Sequence, residues 1–513
     1  MRKLLTFTFA VLLIFSLVAC GGQTAKSAGS SKVFSVGYAK ADITPDHSVP
    51  LVGFNDIEER WSNQIMDRLY ATCVAFTDAE DNTVLVISFD GHNSAPKLHE
   101  ELRQKISDAT GVPFSHILFT ASHTHSGPDQ FHPAIGAEKK SNDNYSEKCL
   151  QAAQEALADR KPAKMYGAFT RPEGLNYVRH YVLTNGDYQG KAVGTLPDEQ
   201  IYGHVWKADN LLQLIKFVRE GGKDVVLINW QAHYHGATQI NYYGISADYP
   251  GVLRSELESR LDCNAAFILG GAGSLSCTSQ IPGETKADTY IEHGKLLADE
   301  AEKAAESFQP LETGTIILKE NLFVVPGTAK QNPLYTFGFG DFGMAFAPWE
   351  IFDDHAMAVR ENSNYTFTFY ASCANAGSGN SYLPNKKSFD YYSYEAGATK
   401  YPIGTGELIR DTLTEMINDC FSQSGQTVKQ RPEGYVTQSF KPYTDGIVYT
   451  NPSVGDLSAL QESAMKHYPL MLVSSAGPKN VVIETKELAE QLIGMESFKL
   501  LFDERNIVVG IAE

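Results

Sequence analysis

Between residue 33 and about residue 425 the chain repeats one alternation, a short and continuously apolar run of β character followed by an amphipathic stretch of helical period. The runs include "NTVLVISFD", "HILFTAS", "KDVVLINWQAH" and "AAFIL"; the helical stretches include "APKLHEELRQKISDAT", "SEKCLQAAQEALADR", "PGVLRSELESRL" and "HGKLLADEAEKAAESF". Strands that are apolar on both faces have to be covered on both, so the predicted fold class is α/β, a mixed sheet covered by helices. At "SQSGQTVKQRPEG" the pattern gives way to a polar stretch with Gly and Pro that reads as a linker. Residues 426–513, with short strands and a helix around "ETKELAEQLIG", are expected to form a small α+β appended domain.

The start of the chain is of another kind. Residues 1–20, "MRKLLTFTFAVLLIFSLVAC", have a basic start and an apolar run too short to favour a spanning helix, so they read as an export signal. The ending Leu17-Val18-Ala19-Cys20 resembles a bacterial lipobox, which implies a lipidated Cys20 and anchoring to the outer face of a bacterial membrane. Residues 21–32, "GGQTAKSAGSSK", suit a flexible tether to a body that begins at residue 33. A formal net charge of -18 argues against nucleic acid as a partner, because phosphate binding needs clustered Lys and Arg. The other six cysteines contain no Cys-x-x-Cys pair, and they are expected as small buried hydrophobes.

Four of the apolar strands end in polar clusters: "HILFTAS" in His123 and His125, "VVLINW" in His233 and His235, "AAFIL" in "GGAGSLS", and "TFTFYAS" in "CANAGSGNSY". Ligands in open α/β sheets bind beyond the carboxyl ends of strands, so these clusters can meet in one place. On an extended strand, side chains two apart share a face, which would point His123 with His125 and His233 with His235. Two histidines from separate strands plus a carboxylate make a catalytic zinc site. A single His-x-His is equally compatible with strand-end imidazoles that bond backbone. The glycine-rich loop "LGGAGSLSCTS" can bring backbone N–H groups to a substrate and present Ser274 or Ser276, or it can be a plain turn.

"ASHTHSGP" at 121–128 resembles the histidine motif of the neutral, non-lysosomal ceramidases, zinc-dependent amidases that cleave N-acyl sphingosines. Further similar segments follow in the family's order: "VGYAKADITP", "NWQAH" with "ISADYPG", "GGAGSLS", "PWEIFDDHAMAVREN" and "NSYLPNKKSFDYYSYEAG". The resemblance covers residues 33–425 and implies an amide hydrolase acting on ceramide, a related N-acyl lipid or another small amide. It implies one Zn2+ held by His123, His233, Glu350 and Tyr382. It also implies Ser276 and His125 as catalytic groups and Arg179, in "NYVRHYVLTNG", beside the reacting carbonyl. The chain departs from the family where His233-Tyr234-His235 replaces His-Pro, which leaves His235 as an alternative ligand, and where Ser274 and Cys277 flank Ser276. Two other readings use the same residues. A metal phosphatase or carbohydrate-ester hydrolase would hold two metals about 4 Å apart, and a non-catalytic solute-binding lipoprotein would hold no stoichiometric zinc.

Overall fold

The computed structural model describes residues 33–436 except 55, 57–58, 132–136, 185–187, 191–200, 326–330, 376–380 and 392, and beyond these only four short strands. The export signal with Cys20, the tether 21–32 and the helix expected around 484–494 lie outside the described residues. The four late strands, Ile447–Val448, Met471–Val473, Asn480–Val482 and Val509–Gly510, pair in one small sheet.

The main sheet is built from β1 (Ser35–Asp42), β2 (Tyr70–Thr77), β3 (Thr83–Phe89), β4 (Ile117–Ala121), β5 (Lys161–Thr170), β6 (Leu212–Arg219), β7 (Val225–Trp230) and β8 (Asn264–Leu269). Their order is β8-β7-β6-β5-β1-β2-β3-β4, and Gln309–Leu311 joins as an edge piece on β5. Only the outermost pairs, β3 with β4 and β7 with β8, run parallel; the inner pairs are antiparallel. A second sheet holds β9 (Ile317–Val324), β10 (Gln331–Phe339), β11 (Phe342–Phe346) and β12 (Phe367–Ala371) in that order.

Two-residue periodicity explains the layering. Val36 and Tyr38 of β1, Val84 and Val86 of β3, and Val225 and Leu227 of β7 enter one core together with Phe337, Phe339, Phe342, Phe346, Phe367 and Phe369 of the second sheet. Their alternates, Ala39, Ala41, Leu85, Ile87, Val226 and Ile228, enter a second core under helices α1 (Pro96–Thr110), α2 (Ala137–Ala158), α3 (Asp248–Arg260) and α4 (Tyr290–Ala305). The far face of the second sheet packs on α5 (Asp353–Asn362) and α6 (Thr405–Gln423). The result is four layers, helix–sheet–sheet–helix, in agreement with the α/β class and with strands covered on both faces. Each fully buried Phe between the sheets contributes roughly 2–3 kcal/mol.

The ends of the main sheet come together. The Ser88 hydroxyl of β3 donates to the Phe267 carbonyl of β8. Residues after β12 fill the seam: Ser372 N–H donates to Leu269 O (2.9 Å), Thr120 Oγ1 to Ser372 O (2.9 Å) and Phe119 N–H to Asn375 Oδ1 (2.7 Å). Four strand ends far apart in sequence are thereby held side by side.

Residues 426–435, assigned above to the appended part, pack on this body. Tyr435 is fully buried in the inter-sheet core; its hydroxyl donates to Gln213 Oε1 (2.5 Å) and accepts the Thr368 N–H (2.9 Å). The six cysteines other than Cys20 are buried, as expected, and all six are free thiols. Among the described residues no helix is long and apolar enough to cross a membrane.

Candidate metal centre

His123 follows β4, His233 follows β7, and Glu350 opens the short strand Glu350–Ile351, which pairs in parallel with Tyr382–Leu383. Glu350 therefore stands on a strand before α5, one segment away from its acidic neighbours Asp353 and Asp354 on the helix. His123 Nε2 lies 2.8 Å from His233 Nε2 and 3.3 Å from Glu350 Oε2, and His233 Nε2 lies 3.1 Å from the same oxygen.

Backbone carbonyls fix the tautomers. His123 Nδ1 is 2.6 Å from His92 O and His233 Nδ1 is 2.9 Å from Ala272 O. A carbonyl only accepts, so both rings carry their proton on Nδ1 and turn an Nε2 lone pair inward. Two lone pairs then face each other and a buried Glu350 oxygen that has no hydrogen bond. Such a set repels itself unless a proton or a metal cation sits among its atoms, and two imidazoles with one carboxylate are the donor set of a catalytic zinc site. Burial alone would raise the Glu350 pKa, but the facing His123 and His233 hold it well below the usual carboxylate range. Burial opposes charge on His123 as well, yet the Glu350 charge and the Cys373 thiol push its pKa up. Burial, Arg179 and His123 push His233 down to about 4. The surroundings call for positive charge at this point and confine it there.

The expected extended geometry does not hold. β4 ends at Ala121 and β7 at Trp230, and His123 adopts φ 65°, a left-handed conformation unusual for a residue with a Cβ. The shared-face argument for His123 and His125 is therefore replaced by a turn that curls both rings inward. His125 Nε2 comes within 3.3 Å of His123 Nε2, while its Nδ1 is fixed by Gly53 O at 2.9 Å. Gly53, at φ 112°, permits this approach, since a Cβ there would meet the His125 ring at 2.5 Å. Burial, and then the neighbouring imidazoles His235 and His92, push the His125 pKa well down. His235 stands on the outer side of His125, ring centres 4.2 Å apart, and His233 is the member of its pair that faces Glu350.

The glycine loop lies directly against Glu350: Gly273 N–H donates to Ile351 O (2.8 Å), and a Cβ on Gly273 would meet Glu350 O at 2.5 Å. Beyond it Ser276 forms a bridge to His233 and pairs with Tyr177. The Ser276 hydroxyl accepts the Thr278 N–H (3.1 Å) and lies 3.2 Å from Thr278 Oγ1; among the described residues no imidazole is within hydrogen-bond distance of it. Ser274, the other candidate, donates to Asp353 (2.5 Å) and accepts its N–H, so it ties the loop to α5. Asp353 also accepts Trp206 Nε1–H and the Asp209 N–H, and burial raises its pKa to about 7. Asp90 pairs with Arg254 at 2.8 and 2.5 Å and belongs to the scaffold. Asp248 is the first residue of α3 and accepts the N–H of Ala237 from the short helix Gly236–Ile240.

Tyr382 stands beside Glu350 across the short strand pair, its ring centre 6.1 Å from that of His233 and beneath the Arg179 guanidinium at 5.4 Å. Arg179 is buried; its Nε donates to Glu395 Oε1 (2.6 Å) and its Nη2 to Gly273 O (2.8 Å). Glu395 is held in turn near His180 Nε2 (3.1 Å), whose Nδ1 meets the Tyr391 hydroxyl (2.6 Å). His180 and the carbonyls of Gly53, His92 and Ala272 had no sequence signal, since one adjoins a motif residue and the others act through backbone.

Burial would raise Glu395, but Arg179 and His180 bring its pKa down to about 2 from an ordinary 4.5. A depressed folded-state pKa means stability that is complete above about pH 4.5 and lost as pH falls toward 2, worth roughly 3 kcal/mol for this buried group. Denaturant titrations should show midpoints falling steeply across that window, and Glu395→Gln should flatten the fall. An equally steep acid limb in the variant would assign it to other carboxylates.

No family model and no curated protein matches the chain. Solved structures similar in fold include two ceramidases. "Ceramidase complexed with C2" superposes with a TM-score of 0.61 at 17% identity, covering 83% of this chain and 81% of its own. The crystal structure of neutral ceramidase from Pseudomonas aeruginosa gives 0.60 at 16% identity, covering 83% and 80%. The fold implied by the motif resemblance is the fold this chain has.

Proposed function

We propose that the protein is a zinc-dependent amidohydrolase that cleaves the N-acyl bond of ceramide or a related N-acyl lipid. The observation that carries the reading is the convergence of two Nε2 lone pairs and an ionised carboxylate within 3.3 Å, with each imidazole fixed by its own backbone carbonyl. The ceramidase-like fold and the ordered motifs support the substrate class. His123, His233 and Glu350 would hold the ion, with Tyr382 beside them. A bound zinc supplies Lewis acidity toward an amide carbonyl and toward water.

The protein's own groups account for the rest. Arg179, locked by Glu395 and Gly273, offers a fixed positive charge for the oxygen that becomes negative as the amide carbonyl is attacked. His125, neutral with its Nε2 free to accept, takes a proton and returns it to the departing amine. Ser276, with no imidazole to deprotonate it, serves best as a hydrogen-bond donor to that oxygen. Ser276→Ala is accordingly expected to lower kcat by roughly 10²–10³ with zinc content intact. Complete loss of turnover, with a covalent acyl adduct trapped on the wild-type serine, would make it the nucleophile instead. The Leu17-Val18-Ala19-Cys20 ending supports attachment to the outer face of a bacterial membrane, close to lipid substrates.

The test is metal analysis of the protein from residue 32 onward, with amine release from a panel of N-acyl compounds. One zinc per chain with turnover lost on chelation is expected. A zinc-loaded protein that leaves every amide intact, or hydrolyses phosphate esters instead, would overturn the reading.

A further inference from the structure

Among the described residues twelve large apolar side chains are exposed, and four of them gather in one place: Trp61, Ile65, Ile240 and Tyr243, each between 41 and 54% exposed. Two segments far apart in sequence bring them side by side. Strand Gln64–Ile65 pairs in parallel with Gly244–Ile245, Asn63 N–H donates to Tyr243 O (2.9 Å), and Asn241 Nδ2 donates to Asn63 Oδ1 (3.0 Å). Ile240 closes the short helix Gly236–Ile240, which starts directly after His235. Residues 61–66, "WSNQIM", and 239–245, "QINYYGI", hold no charged side chain, in a chain of net charge -18. A cluster of exposed Trp, Tyr and Ile without charge marks a surface that meets something apolar.

The patch is continuous with the rim of the candidate metal centre. Rings in contact lead inward from it: Tyr243 to Tyr242 (centres 5.4 Å apart), Tyr242 to Phe54 (5.3 Å), and Phe54 to His125 and His235 (5.5 and 5.6 Å). Arg60 holds the middle of this row, its guanidinium lying over both Phe54 and Tyr242 and donating to Tyr242 O (2.8 Å) and Val52 O (2.9 Å). Segment 61–66 leads into β2, whose Tyr70 pairs with Asp42, so the patch lies at the Asp42 end of β1 and Val33 at the other. β1 is about 25 Å long and residues 21–32 reach up to about 40 Å, so a lipid on Cys20 and the patch can meet one bilayer.

We infer that Trp61, Ile65, Ile240 and Tyr243 form a docking surface for the lipid–water interface of a bilayer, and that docking sets the mouth of the centre against membrane-held substrate. Trp and Tyr suit this role, since each combines an apolar ring with a polar edge and settles at headgroup level. The charge-free segments fit a zwitterionic surface, and the negative chain gains nothing from anionic lipid. The benefit to turnover rests on the amidase reading, whereas the docking itself does not.

The test is flotation of the chain from Gly21 onward, which lacks only residues 1–20, with phosphatidylcholine vesicles and with vesicles that also contain phosphatidylglycerol. Binding to pure phosphatidylcholine is expected, undiminished at high salt and no stronger with phosphatidylglycerol. Trp61→Ser with Tyr243→Ser, and separately Ile65→Ser with Ile240→Ser, should each weaken it at least about tenfold. Zinc content and turnover of a short-chain, water-soluble N-acyl amide should stay unchanged in both, while kcat/KM on vesicle-held substrate falls. The four side chains are exposed, so both pairs should fold, which circular dichroism checks; either pair alone decides the outcome. No binding by the wild type, binding indifferent to the substitutions, or binding that requires phosphatidylglycerol overturns the inference. So does a dimer that these substitutions dissolve, seen by sedimentation in a protein that ignores vesicles, which would assign the patch to a second copy of the chain. Vesicle binding with every amide left intact would sink the amidase reading and leave the docking surface standing.

Discussion

His123→Ala is expected to yield a folded protein that retains no stoichiometric zinc and has lost at least about 10³-fold in kcat/KM, the equivalent of ~4 kcal/mol of transition-state stabilisation. The argument rests on crowding. The ring supplies one of three electron-pair donors around a single point, and two imidazole-carboxylate contacts at 3.1 and 3.3 Å are reduced to one without it. Folding should survive, because alanine at φ 65° carries about the same backbone strain as histidine and the deletion relieves repulsion among buried acceptors. Metal analysis after gel filtration, together with amine release, checks both halves. An unchanged zinc content would count against the whole centre.

Arg179→Met should lower stability by roughly 3–5 kcal/mol, because it leaves the fully buried Glu395 without its main counter-charge. It should also lower kcat by about 10²–10³ if the guanidinium stabilises the developing oxyanion. Arg179→Met combined with Glu395→Gln separates the two effects. Removing both charges should recover most of the stability, since the lone carboxylate is gone, but none of the activity. Recovery of both would make Arg179 a purely structural residue, and recovery of neither would place its stabilising role in the Gly273 contact.

The layered fold was legible because strands such as Val225–Trp230 are apolar at every position, which only a doubly covered sheet tolerates. The pairing of two sheets was not, since β10 and β12 look much the same in sequence whether a helix or another sheet covers them. His123, His233 and Glu350 were legible through motifs at strand ends, and they do converge. The extended backbone expected through His123 was wrong in detail: no residue pattern announces a histidine at φ 65°, and it is held there by its N–H to Gly91 O and its ring to His92 O. Gly53 and Phe54, far from any motif, fix the posture of His125 through a carbonyl and a ring edge. The polar stretch at 425 reads as a domain linker because it is polar and contains Gly and Pro, yet Lys429, Arg431 and the buried Tyr435 fasten it to the body.

The seam where β4 and β8 are bridged by residues 372–375 bears on how the molecule is made. A nascent chain that has emerged only as far as His233 already carries both imidazoles, but it lacks the acid at 350 and the plug that draws the two sheet margins together. Capture of the ion should therefore come late, after nearly the entire body has been synthesised and has condensed. Maturation rate would then be governed by long-range closure and not by metal supply.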